Sequence, residues 1–162
     1  MVFEFSNYVL DIDVDETRNF YITARSISKG CSCSGCRNYE KAMDFVSKEV
    51  NSFFSQLGID VKKPCEVYVN CTNTDNSVLY SGLYHVCGKM ISGESAFIST
   101  GPNSKYLDEK RLLTLTRDFR VFFQRELLLL EDSFPLPAIQ LEILANIPWV
   151  IKERNEYPIV TE

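Results

Sequence analysis

The stretch Val78-Leu79-Tyr80-Ser81-Gly82-Leu83-Tyr84-His85-Val86-Cys87-Gly88-Lys89-Met90-Ile91 decides the fold. It is long, rich in aromatic and β-branched residues and free of proline, which predicts an extended strand over 78–91. Gly82 and Gly88 interrupt it where a bulge or bend costs least, and this predicts a curved sheet. Tyr80, Gly82 and Tyr84 share one face; such an aromatic stripe is either core or the lining of a ligand groove.

Just upstream, Cys65, Val67, Val69 and Cys71 alternate with Glu66, Tyr68 and Asn70, the period of a half-buried strand, and Asn73-Thr74-Asp75-Asn76 supplies the turn between the two segments. Downstream, Leu113 to Phe123 alternates and reads as one strand. Ile139, Leu141, Ile143, Ala145 and Ile147 define another, which Pro148 ends. Residues 95–100 read as a short strand and 106–111 as a helical turn. Glu126 to Asp132 has helical propensity, but Phe134-Pro135-Leu136-Pro137 forbids continuation, which predicts a loop with no more than one helical turn; Leu127 to Leu130 reads as a cover for the open end of the sheet, with an exposed interface patch as the alternative. Towards the beginning of the chain, residues 2–14 and 20–24 read as strands joined by a turn at 15–19, and the Ser- and Gly-rich residues 25–35 as a loop.

Between these strands, Tyr39, Ala42, Met43, Val46, Val50, Phe53 and Leu57 recur at the spacing of one helical face, widened by Phe45 and Phe54. This predicts one helix over 37–57, stopped by Gly58. The whole reads as an α+β fold: a mainly antiparallel, curved sheet of about six or seven strands packed on one long amphipathic helix. The length of 162 residues, with no repeat or linker, predicts a single domain over 1–162, and the polar segment after Ile151 is expected to be loose.

A net charge of -5 without a clustered Lys/Arg stripe argues against nucleic acid as a partner and favours a basic protein. Met1-Val2-Phe3-Glu4-Phe5 lacks the positive start of an export signal, so a cytoplasmic location is expected. No apolar run approaches the roughly 20 residues that span a bilayer. In a reducing compartment the six cysteines are thiols, free or metal-bound.

Cys31-Ser32-Cys33-Ser34-Gly35-Cys36 places three thiols on one tight loop, where several sulfurs can reach a single tetrahedral ion, zinc being the natural guest. A structural site takes four ligands, and His85 and Cys87, two apart on one face of the long strand, are the candidates for the fourth. Only half of a zinc ribbon is present, because Cys33-x-x-Cys36 has no matching pair elsewhere. A redox reading competes: Cys33 and Cys36 stand just before a helix, whose dipole favours a thiolate, although no β-α-β pattern surrounds them. Three unligated thiols in a loop are the plain alternative. Cys65 and Cys71 read as core, and His85 as a hydrogen-bonded, partly buried imidazole. No G-x-S-x-G elbow accompanies the sole histidine. Asp11, Asp13 and Asp15 open like a calcium loop, but Glu16 stands where the turn needs Gly and Ile22 where the bidentate Glu belongs. They read instead as the wet face of a strand.

Cys33-Ser34-Gly35-Cys36-Arg37-Asn38-Tyr39, Tyr80-Ser81-Gly82-Leu83-Tyr84-His85-Val86-Cys87-Gly88 and Pro148-Trp149-Val150 resemble landmarks of a small uncharacterised bacterial protein family. The resemblance implies a cytoplasmic bacterial protein and carries no activity, substrate or catalytic residue. Three functions are therefore expected to compete. They are a module with a structural zinc site, an acidic antagonist of a basic protein, and a thiol oxidoreductase using Cys33 and Cys36, with a non-enzymatic role favoured.

Overall fold

The computed structural model describes residues 1–161 of the chain. The strand expected over 78–91 is its spine. In chain order come β1 (Val2–Phe5), β2 (Tyr8–Ile12), α1 (Val14–Thr23), α2 (Ile27–Gly30), α3 (Ser34–Ala42) and α4 (Lys48–Gln56). Then follow β3 (Glu66–Thr72), β4 (Val78–Ser92), β5 (Phe97–Gly101), β6 (Ser104–Leu107), β7 (Leu113–Thr116), β8 (Phe119–Gln124) and β9 (Ala138–Ile147). Seven strands form one antiparallel sheet in the order β1-β2-β4-β9-β8-β7, with β3 also paired to β4; β5 and β6 form a separate hairpin. The fold is therefore α+β and antiparallel, as expected. Among the described residues no helix is long and apolar enough to cross a membrane.

The period-two pattern fixes the two faces of the sheet. Val78, Tyr80, Gly82, Tyr84 and Val86 of β4 lie beside Ile139, Leu141, Ile143, Ala145 and Ile147 of β9, all buried. Helices cover this side: the Tyr39 hydroxyl of α3 meets that of Tyr84 at 2.6 Å, and the Phe54 ring of α4 packs edge-on against Tyr84, 5.0 Å between centroids. The aromatic stripe is thus core. Leu83, His85 and Cys87 point the other way, where Phe134 of the 125–137 loop lies against the His85 ring.

Helix appears where the sequence suggested continuity of another kind. Residues 20–24 belong to α1, which replaces the expected strand and turn. Asp13 caps it, its carboxylate accepting from the Glu16 N–H at 3.0 Å, and Asp15 and Glu16 suit the positive end of the helix dipole. The apparent alternation of Phe20, Ile22 and Ala24 was misleading, for Thr17 and Tyr21, four apart, form the buried face and Ile22 is exposed.

The long helix over 37–57 is not continuous. Val46 is extended (ψ 150°), and Ser47 starts α4 by accepting from the Val50 N–H at 3.3 Å. The three-four spacing survives the break because α3 and α4 both bury against the Tyr84 side of the sheet. Gly58, at φ +82°, ends the helical region as its left-handed tolerance suggests. The single strand over 113–123 is instead the hairpin of β7 and β8, turned at Arg117-Asp118.

β4 explains the role of α1. One edge of β4 pairs with β9 from Val78 to Cys87. On the other, β3 reaches only Leu83, and β2 begins only at Gly88. Backbone groups left in that gap would be costly if buried without partners. α1 supplies them. The Tyr21 hydroxyl accepts from the His85 N–H (3.2 Å) and donates to the His85 carbonyl (2.9 Å). Thr17 Oγ1 accepts from the Cys87 N–H (3.0 Å), and the Asp13 N–H donates to the Cys87 carbonyl (2.9 Å). A helix thus completes the ladder of a strand.

Candidate metal centre

The cysteine cluster sits between two helices. α2 ends at Gly30, and the Cys31 N–H closes it by donating to the Ile27 carbonyl at 3.0 Å. Cys33 then takes the capping position of α3, its sulfur accepting from the Cys36 N–H at 3.4 Å. A thiol here does the work usually left to a Ser or Asp oxygen. Cys36, in the first turn of α3, turns inward towards the Val67 carbonyl of β3 and is buried. Cys31 and Cys33 are exposed, with sulfurs 3.3 Å apart, and all three sulfurs lie within 4.8 Å of one another.

The first turn of α3 is pinned from the core. Tyr80 donates its hydroxyl to the Gly35 carbonyl at 2.7 Å and accepts from Asn38 Nδ2 at 3.2 Å. Asn38 also binds the carbonyl of Pro148 (3.1 Å) and the N–H of Val150 (2.7 Å), which ties the end of β9 to the helix. Glycine inside a helix costs about 1 kcal/mol relative to alanine. At Gly35 the reason is space: a Cβ there would stand 2.7 Å from the Tyr157 hydroxyl and 3.1 Å from Val69 Cγ2.

The sulfurs differ in acidity. Burial opposes ionisation of Cys33, but hydrogen bonds from the Cys36 N–H, the Cys31 and Cys36 thiols and the Tyr157 hydroxyl outweigh it and bring its pKa below that of an ordinary thiol. Burial pushes the Cys36 thiol well up, and its two sulfur neighbours add to the shift. Cys33 therefore ionises more readily than Cys36, and coordination by all three sulfurs requires the thiol protons to leave. A dication would displace those protons and draw all three sulfurs together.

His85 and Cys87 do not belong to this group. The expectation that one of them supplies the fourth ligand is corrected by parity. α3 covers the face of β4 that carries Tyr80 and Tyr84, and residues 85 and 87 project from the opposite face. His85 packs on Phe134 and lines a cavity of about 90 Å³ together with Tyr21, Lys63, Cys65 and Glu131, its Nε2 buried without a hydrogen-bond partner. Burial lowers its pKa, against the raising effect of Gln140 and the Leu128 backbone. Cys87 is buried beneath α1, and that burial, with Asp13 and Glu16, raises its pKa. Cys65 and Cys71 are only partly buried; burial, then Glu131 and Glu66, push Cys65 up to about 11. The aspartate row is occupied locally: Asp11 pairs with the Met1 ammonium (3.2 Å), Asp13 caps α1, and Asp15 pairs with Arg18 (2.8 Å).

The segment after Ile151, expected to be loose, is docked. Thr72 donates its N–H to the Pro158 carbonyl (2.8 Å) and its hydroxyl to the Tyr157 carbonyl (3.1 Å), and it accepts from Asn155 Nδ2 (2.9 Å) and the Val160 N–H (2.9 Å). Arg37 of α3 ion-pairs with Glu153, while its Nε donates to the Ser32 carbonyl at 3.1 Å. Sequence reasoning missed Tyr157 as a neighbour of the cluster. The signal was an aromatic residue closing the polar run Lys152 to Glu156 and opening the apolar Pro158-Ile159-Val160.

Fold and site together define an α+β protein with a three-sulfur cluster at a helix N-terminus. No protein-family model, curated protein or solved structure matches this chain.

Proposed function

We propose that the chain binds a zinc ion through Cys31, Cys33 and Cys36, and that the ion serves structure rather than catalysis. The observation that carries this reading is the mutual approach of the three sulfurs within 4.8 Å. Tetrahedral zinc, with Zn–S bonds of about 2.3 Å, sets its sulfurs about 3.8 Å apart, so small side-chain rotations suffice. Soft thiolates favour zinc over hard cations such as calcium or magnesium. Cys31 and Cys33 are exposed, so the fourth position of the tetrahedron lies on the open side of the cluster and is left to a ligand from outside these three residues.

Metal analysis of protein purified without added zinc tests this. We expect one equivalent of zinc, and a fall in thermal stability when a chelator removes it. Cys33→Ser is the informative variant, because serine is itself a good helix cap: metal-free stability is expected to stay within about 0.5 kcal/mol of wild type while zinc is lost. Substoichiometric metal in wild type, or a melting temperature indifferent to chelator, defeats the proposal.

A second reading, thiol–disulfide chemistry at Cys33, is favoured by its lowered pKa and by the Cys31 sulfur 3.3 Å away. Alkylation of metal-free protein across pH separates the two. A single fast-reacting thiol together with no zinc uptake supports the redox reading.

A further inference from the structure

We propose that residues 149–160 form a strap latched onto the metal centre, with the Tyr157 hydroxyl as the positioning group on the Cys33 sulfur, so that zinc occupancy and strap docking stabilise each other. The proposal rests on the reading of the cluster as a zinc site.

Three independent features converge. The first is the vacancy at Gly35. Glycine is the poorest helix former after proline, yet it stands between Cys33 and Cys36 in the first turn of α3, where any Cβ would collide with the Tyr157 ring at Oη (2.7 Å) and Cζ (3.3 Å). The missing side chain is what admits the phenol, and it sets the phenol oxygen against the first turn of α3, between Cys33 and Cys36. The second is Arg37, the residue after Cys36. One guanidinium holds the Ser32 carbonyl, between Cys31 and Cys33, and the Glu153 carboxylate of the strap. The third is the way the strap holds Tyr157. Its N–H donates to Asn155 Oδ1 (3.0 Å), its carbonyl accepts from Thr72, and Trp149 packs edge-on against its ring at 6.1 Å, with the Trp149 indole N–H donating to the Glu153 carbonyl at 2.7 Å.

The two ends of the strap are held unequally. At Thr72 its bonds surround a buried residue. At the cluster it is held by an ion pair whose side chains are 41% and 50% exposed, a class of contact that contributes little by itself. Zinc changes this balance. Three thiolates on one dication form a rigid acceptor, and hydrogen bonds to coordinating sulfurs orient the ligands and tune the ion. By linkage, whatever the hydroxyl contributes to zinc affinity the zinc returns to strap docking. The strap therefore reports metal occupancy at the surface, where Lys152 and Arg154 are exposed.

Limited trypsin digestion of the native chain, with and without one equivalent of zinc, tests this by following cleavage after Lys152 and Arg154. Arg117, in the β7–β8 turn, serves as an internal control, and zinc content is measured on the same samples. Zinc is expected to slow cleavage of the strap about 10-fold and to leave Arg117 unchanged. Tyr157→Phe is expected to keep one zinc, to bind it about 10-fold more weakly against a chromophoric chelator, and to lose most of the protection. Gly35→Ala, which displaces the phenol, is expected to behave alike. The wild-type comparison needs no variant to fold. If wild type takes up one zinc and the strap is cut at an unchanged rate, or if Tyr157→Phe matches wild type in affinity and protection, the strap proposal is overturned and the zinc reading stands. If wild type takes up no zinc, both fall.

Discussion

His85 illustrates how a single side chain resists assignment from sequence. As the only histidine, two residues from a cysteine, it invited a role in the metal shell. Its parity along β4 sends it to the face away from α3. That conclusion needed only the knowledge of which face the helices cover, which no local pattern contains. Cys31, Cys33 and Cys36, by contrast, were legible because their proximity is imposed by six consecutive residues and one helix cap. The buried imidazole carries a pH signature of its own. Its pKa is lowered in the folded chain, so above the ordinary value of about 6.5 it is neutral in both states and its contribution to stability is complete. As pH falls below that value the unfolded chain takes up a proton that the folded chain refuses, and stability is lost down to the folded pKa. Denaturant melts at about pH 7.5 and about pH 5.5 are expected to show a larger acid loss for wild type than for His85→Gln. Equal losses would mean that the imidazole titrates normally.

At the scale of elements, the long strands β4 and β9 were read well, whereas the helices and the tight hairpins were not: residues 2–14 and 113–123, each read as one strand, fold back on themselves as β1–β2 and β7–β8. Strand alternation is a property of one face against another and survives in any context, as in β9, where all five residues of the expected parity are in place. The helix over 37–57 was misread because its two halves bury on the same side of the sheet, so that the apolar rhythm runs on past the extended Val46. α1 was missed because its buried face consists of a threonine and a tyrosine that serve as hydrogen-bonding groups, not as hydrophobic bulk. This makes Tyr21→Phe a sharp test. The ring still packs, but the His85 N–H and carbonyl are left without a partner, at an expected cost of about 1–3 kcal/mol in chemical denaturation. A change below about 0.5 kcal/mol would mean that water replaces the hydroxyl.

The whole molecule is organised around β4. Tyr80 and Tyr84 connect it through their hydroxyls to α3 and to the Val61 carbonyl, while Phe53 and Phe54 of α4 extend the aromatic contact to Phe5, Phe119 and Phe123. The α+β class and the antiparallel sheet could be read from sequence because they follow from strand count and turn chemistry. How helices and loops distribute over the two faces could not, since that is settled by contacts between residues far apart in the chain. The docking of 149–160 is the extreme case: Arg37 and Glu153 meet across 116 residues of separation, and Thr72 and Tyr157 across 85.

A strand that changes neighbours partway along its length does not open as one unit. From Val78 to Leu83 the amides of β4 lie between two partner strands, whereas past Gly88, whose N–H still donates to the Pro137 carbonyl, β2 is the one strand paired with Lys89 to Ser92. Deuterium uptake under native conditions should therefore divide β4 in two. Tyr80 and Gly82 are expected among the slowest positions, exchanging only through global unfolding, and Met90 and Ser92 among the faster ones, released when the β1–β2 ribbon peels away. Uniform protection along all 15 residues would show that the ribbon and the body of the sheet melt together.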